Sequence, residues 1–169
     1  FWIGLRLFSK TAVRRMKDVE YISELCVLTM DGVQEPDVLD DYYANNDDEL
    51  PENWDRTYKL FNKIKQEIES LNLDFEKTRY GNLNDFYSLW AAVHSILLDK
   101  RKIDYIKTNK KLTAFSKEIE AAVPNYKGDI EPSEAAKKYS DAVRQGVNKK
   151  TNRDLRAEFL RNRFVLEEK

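Results

Sequence analysis

Residues 82–98 read NLNDFYSLWAAVHSILL. Phe86, Trp90, Val93 and Leu97 recur at helical spacing on one side of this stretch, and Tyr87, Ala91, His94 and Leu98 on another. A surface helix keeps a single apolar stripe, whereas one that is apolar on two sides has neighbours on both. The segment therefore predicts a helix in the middle of a bundle, capped by Asn82 or Asn84.

The flanking segments supply the neighbours. Thr57, Phe61, Ile64, Ile68 and Leu71 predict a helix that starts near Pro51, whose missing N–H costs nothing in a first turn. Glu52 and Asp55 then lie near the positive end of its dipole. Tyr105, Thr108, Leu112, Phe115, Ile119 and Ala122 form another long stripe, stopped before Pro124. The run NYKGDIEPS reads as a loop, after which Ser133 and Glu134 open a helix through Ala136, Tyr139 and Val143 that Gly146 ends. Thr151 or Asn152 caps a last helix carried by Leu155, Phe159 and Leu166. Upstream, Val19, Ile22, Cys26 and Thr29 make a stripe with Leu25 beside it, closed by Gly32, and PDVLDDYYANN holds a short helix. No stretch alternates as a strand does. The expected fold is all-α, one bundle of six or seven helices over residues 1–169, with Trp90, Phe86, Phe61, Ile64 and Phe115 in its core.

Composition agrees with that reading and excludes several others. Charged residues are 35% and apolar ones 41%, the balance of a soluble globular chain and not of a disordered one. No apolar run approaches the roughly 20 residues of a membrane span. The opening FWIGLRLF carries Arg6 and lacks a small-residue cleavage site, so it does not read as a signal peptide. A single cysteine, Cys26, excludes an internal disulfide and fits a reducing cytoplasm. The start at Phe1, inside an apolar stretch, reads as the cut edge of a larger protein.

Chemistry-bearing residues are sparse. His94 is the only histidine and Cys26 the only thiol, so the usual zinc ligand sets are absent. Both fall on apolar faces, where a buried histidine with one hydrogen-bond partner is the ordinary outcome. No phosphate-binding glycine loop, dinucleotide fingerprint or nucleophile elbow occurs. From Asp31 to Asp55 there are ten acidic residues and no basic one, including the pairs Asp40/Asp41 and Asp47/Asp48. Their spacing does not match the alternating oxygen ligands and glycine of a calcium loop. No metal and no cofactor is expected.

The basic end is the remaining candidate. From Ser133 onward, ten Lys and Arg face six Asp and Glu. Within KKTNRDLRAEFLRNR, Lys149 and Lys150 precede the helix and Arg153 and Arg156 lie three apart on one face. Cations at this spacing, exposed beside a helix N-terminus, can contact phosphates. Lys149, Lys150, Arg153 and Arg156 are thus the expected nucleic-acid contacts, set against a plain solvated face paired with Asp154 and Glu158.

Four stretches in order, RRMKDVEYISELCVLTMDG, YYANNDDELPE, KTRYGNLNDFYSLWAAVH and TNRDLRAEFLRNRF, resemble the helical C-terminal part of the ParB-like, GmrSD-type nuclease family. The best-marked pieces are Arg15–Asp18, Asp85–Leu89 and Thr151–Arg153, and the likeness runs from about Phe8 to the end. The resemblance implies a prokaryotic defence protein that cuts or nicks foreign, often modified, DNA, with the chemistry in an N-terminal domain marked by Asp-Gly-Gln-Gln-Arg. Here Asp31-Gly32 is followed by Val33-Gln34, inside the helical part, so no catalytic residue carries over. What it implies is a helical domain without catalysis of its own, partnered by that N-terminal domain and by DNA. A protein-interaction or dimerisation module, in which the acidic belt meets a basic surface, is the alternative.

Overall fold

The computed structural model describes residues 1–5, 7–45 and 51–167 of the chain. The acidic pair Asp47/Asp48 lies outside the described residues. The helices are α1 (Trp2–Leu5), α2 (Lys10–Arg14), α3 (Lys17–Asp31), α4 (Val38–Asn45), α5 (Trp54–Ser70), α6 (Leu83–Leu98), α7 (Tyr105–Ala121), α8 (Glu134–Arg144) and α9 (Lys150–Arg161), with a 3-10 turn at Arg79–Gly81 before α6. Seven of them, α3 to α9, are eight residues or longer. The only β pairing among the described residues is an isolated antiparallel bridge between Ile103 and Leu166. The fold is an all-α bundle, and none of its described helices is long and apolar enough to cross a membrane.

α6 is the central helix, as its two-sided pattern requires. Every residue from Asp85 to His94 is buried, and the helix packs against α9 above all, then α5, the 3-10 turn and α3. Trp90 is the largest side chain in the core and has no exposed surface. Its ring centroid lies 4.6 Å from that of Phe61 and 6.1 Å from Phe86, and it stacks on Trp2 at 5.9 Å. Its indole N–H donates to the Thr29 hydroxyl at 3.0 Å, so α3 and α6 are joined where the indole would otherwise bury a lone donor. Ile64, Phe86 and Phe115 are buried as expected, while Phe61 is partly buried at the edge of the same cluster.

Helix starts follow local chemistry where a side chain can reach a free N–H. Asp104 caps α7 through the Lys107 amide at 3.0 Å, and Ser133 caps α8 through the Ala136 amide at 3.3 Å. Gly81 sits where a Cβ would come within 2.2 Å of the Phe75 carbonyl oxygen, a close backbone approach that only glycine permits.

Three predicted details differ. α5 begins at Trp54 and Pro51 forms the turn ahead of it, its carbonyl accepting from the Trp54 amide. In α3 the buried residues are Tyr21, Leu25, Val27, Leu28 and Thr29. Leu25 and Thr29 are buried as expected, but Val19 is 47% exposed and Ile22 and Cys26 are only partly buried. Leu98 is likewise 52% exposed, at the end of α6, where Ile96 is buried and Leu97 packs against the core.

Candidate functional site

The predicted site lies at the start of α9. Gly146, in the left-handed region at φ 62°, turns the chain out of α8 and into α9. α9 begins at Lys150 rather than after a Thr151 or Asn152 cap. The Asn152 side chain donates instead to the carbonyls of Gln145 (2.6 Å) and Gly146 (3.0 Å), tying the turn back on itself.

The four cations of this end do not form one exposed patch. Lys149 is exposed. Lys150 is half-buried: its ammonium donates to the Val33 carbonyl, and its amide donates to a Glu35 carboxylate oxygen at 3.0 Å. Arg153 is 5% exposed and Arg156 is 1% exposed, which corrects the expectation that both face solvent. The reason is that each guanidinium has internal partners. Arg153 donates to Glu24 at 2.8 Å and to the Gln34 carbonyl at 3.2 Å, and lies 4.4 Å from the centroid of the Tyr87 ring. Arg156 donates to the Ser88 hydroxyl (3.1 Å) and to the carbonyls of Ala142 (2.9 Å) and Val147 (2.8 Å). These two arginines bind α9 to α3, α6 and the end of α8.

A second buried charge adjoins them. Asp85, 1% exposed, accepts from the Tyr139 hydroxyl at 2.9 Å and pairs with Arg79 at 3.0 Å. Burial pushes its carboxyl up, opposed by Arg79, the Tyr139 hydrogen bond and Arg156. Burial lowers Arg156 and raises Tyr139 well above the usual phenol range. The joint thus combines the two arginines of α9 and Arg79 with two carboxylates, Glu24 and Asp85, and the Tyr139 phenol, supplied by α3, α6, α8, α9 and the 3-10 turn. An open groove of about 330 Å³ lies over it, lined by Lys17, Glu20, Asn84 and Asn148 as well as the two arginines.

The single histidine and the single thiol are placed elsewhere. His94 is 8% exposed between two shallow grooves, one beside Arg56 and Asn53 and the other beside Asp154 and Arg161. Burial holds its imidazole below the usual value, partly offset by a hydrogen bond to the Thr29 backbone. Burial alone pushes the Cys26 thiol up to about 11, so no neighbouring base activates it. Among the described residues no group of three His, Cys, Asp or Glu side chains is arranged to hold a metal ion.

Burial of a neutral His94 gives a pH signature. Its folded value lies below the unfolded one of about 6.5, so the unfolded chain binds more protons as pH falls through that value. The stabilising contribution is whole above about pH 7 and declines below it, at up to about 1.4 kcal/mol per pH unit. Asp85, raised by burial, works in the opposite sense, so the effect is isolated by comparing variants. Urea midpoints at pH 7.5 and 5.5 are expected to fall less in His94→Gln than in the parent. An equal fall in both proteins contradicts the assignment.

Sequence reasoning missed that Arg153 and Arg156 point inward, although one signal was present. Arg153, Arg156 and Leu160 are spaced three and four apart and form the fully buried stripe of α9. Of the expected Leu155, Phe159 and Leu166, the last two pack partly buried against the core and Leu155 is partly buried. Compared with known proteins, the chain matches no family model, no curated protein and no solved structure.

Proposed function

We propose that this chain is a non-catalytic helical domain of a GmrSD-type DNA nuclease or restriction protein of prokaryotic phage defence, and that it supports the catalytic domain or the DNA. The observation that carries the reading is the convergence of three of the resembling stretches on one buried joint. Glu24 comes from the first, Asp85, Tyr87 and Ser88 from the third, and Arg153 and Arg156 from the fourth. Residues that mark the resemblance are thus engaged with one another, as parts of a scaffold are, and their donors are occupied by protein acceptors. Chemistry in such a protein belongs to another domain.

The test is incubation of supercoiled plasmid with the purified chain, magnesium or manganese, and ATP or GTP. The plasmid is expected to stay supercoiled and no phosphate to be released. Nicking or hydrolysis that disappears in His94→Ala, or in a variant with both Asp47 and Asp48 changed to Ala, overturns the reading. Duplex binding is expected to weaken steeply with added salt and with little regard to sequence, as phosphate contacts do.

A second reading, a protein-interaction module, is favoured by one surface. Val13, Met16, Val19 and Tyr43 are 50%, 65%, 47% and 53% exposed around α2, α3 and α4, beside a groove lined by Pro36 and Leu39. Binding that is insensitive to salt and lost in Met16→Asp favours this reading.

A further inference from the structure

With Arg153 and Arg156 buried, the exposed positive charge of the molecule has to be found elsewhere. It is concentrated on residues 100–117. Lys100, Arg101, Lys102, Lys107, Lys110, Lys111 and Lys117 are all exposed, and from Asp99 to Lys117 only Asp99 and Asp104 are acidic. Both carboxylates are engaged: Asp99 pairs with Arg161, and Asp104 caps α7 and pairs with Lys107. Among the described residues no carboxylate forms an ion pair with Lys100, Arg101, Lys102, Lys110, Lys111 or Lys117.

The geometry of this charge is that of a line on a rigid support. Lys107, Lys110, Lys111 and Lys117 share one face of α7, spread over about 15 Å at 1.5 Å per residue. The opposite face, with Thr108, Leu112, Phe115 and Ile119, is buried. The loop ahead of the helix is held as well. The Lys102 carbonyl accepts from the Glu167 amide at 3.0 Å, and the Asp104 amide donates to the Val165 carbonyl at 2.8 Å. Arg101 is fixed through its amide to the Ile96 carbonyl at 3.3 Å.

We propose that the outer face of α7, with the loop 100–102 that leads into it, is a surface for the phosphate backbone of duplex DNA. This rests on the DNA-supporting reading above for the identity of the polymer and assigns its contact face. Lysine is depleted in the cores of protein–protein interfaces, whereas sequence-independent backbone contacts are made by Lys and Arg. Duplex DNA presents a charge about every 1.7 Å of its axis, so a 15 Å row of cations meets several phosphates at once.

The experiment is a salt titration of fluorescence anisotropy with a labelled duplex, for the parent and two charge-reversed triples. One triple is Arg101→Glu, Lys110→Glu, Lys111→Glu. The other, Lys137→Glu, Lys138→Glu, Lys149→Glu, changes net charge equally on exposed positions of the α8–α9 side. The first is expected to weaken binding by about tenfold or more at 0.1 M salt and to flatten the log–log slope by about two to three contacts' worth, roughly 0.9 each. The second is expected to change affinity by less than about threefold on the same basis. Circular dichroism and urea midpoints should match the parent in both, and a glutamine version of the first triple should show a smaller loss of the same sign. Equal losses in the two glutamate triples, or a larger one in the second, overturn the α7 surface while leaving the DNA-supporting reading intact. Parent binding to poly-L-glutamate but not to the duplex overturns the surface in favour of an acidic protein partner. Binding to neither overturns the surface and the DNA-supporting reading together.

Discussion

Changing Arg156 to alanine is expected to destabilise the fold by about 3–5 kcal/mol, the range for breaking a buried charged network from one side. The guanidinium is almost wholly enclosed and serves three acceptors at 2.8 to 3.1 Å. Alanine removes all three hydrogen bonds and leaves the carbonyls of Ala142 and Val147 buried without that donor. It also withdraws positive charge from beside Asp85, whose carboxyl is already pushed up by burial. Each consequence adds to the cost, since an unmet buried polar group costs about 1–3 kcal/mol. Arg156→Lys retains the charge but not the fork, and should recover only part of the loss. Urea denaturation at pH 7 checks this. A loss below about 1 kcal/mol would mean that the arginine leaves the joint in solution and faces water, as a phosphate contact would. For the same reason a variant with Lys149, Lys150, Arg153 and Arg156 all changed to alanine tests folding before it tests DNA binding.

Trp90→Ala is expected to cost a comparable amount, about 3–5 kcal/mol, for a different reason. Here the loss is packing. The side chain has no exposed surface and meets Trp2, Phe61 and Phe86, whose partners were chosen for an indole between them. Its removal leaves a cavity among aromatic rings that cannot collapse without moving α5 or α6. It also strips the Thr29 hydroxyl of a donor, although that hydroxyl keeps its bond to the Leu25 carbonyl at 2.7 Å. Trp90→Phe should cost about 1–2 kcal/mol less than alanine because it fills part of the space. In a chain of this size the alanine loss corresponds to a fall in Tm of roughly 10 °C. A fall of less than about 2 °C would show that α6 is not the central helix.

The comparison between the two substitutions separates what was legible in the chain from what was not. The burial of Trp90 follows from spacing within one segment: apolar residues on two sides of residues 82–98 have to be covered on both, whatever covers them. Helix type, approximate helix positions, the loop at 125–133 and the Ser133 cap are local in the same sense, and the structure contains them. Helix faces at the periphery were less secure. In α3 the covered side faces α5 and α6 and centres on Tyr21, Leu25, Leu28 and Thr29. Of the stripe read from Val19, Ile22, Cys26 and Thr29 with Leu25 beside it, Leu25 and Thr29 are therefore buried, Ile22 and Cys26 are partly buried and Val19 is exposed.

For Arg156 the residue type by itself points outward, because an unpaired guanidinium has no place in a core. Its burial becomes affordable only through acceptors from other elements: Ser88, which is 68 positions away, the end of α8 and the Gly146 turn. Arg153 depends in the same way on Glu24, 129 positions away, and on the Tyr87 ring. Such pairings exist only after α3, α6 and α9 have packed, and the periodicity of a single helix carries no record of them. The same packing decided which charges remain outside. It turned Arg153 and Arg156 inward, left Arg161 at the surface, and left the lysines of α7 in a row outside. An all-α bundle around residues 83–98 follows from neighbours along the chain, because helix formation and amphipathicity are local properties. Which of its cations are structural and which can meet a partner was decided only by the tertiary structure, because the cost of burying a charge depends on partners far away in sequence.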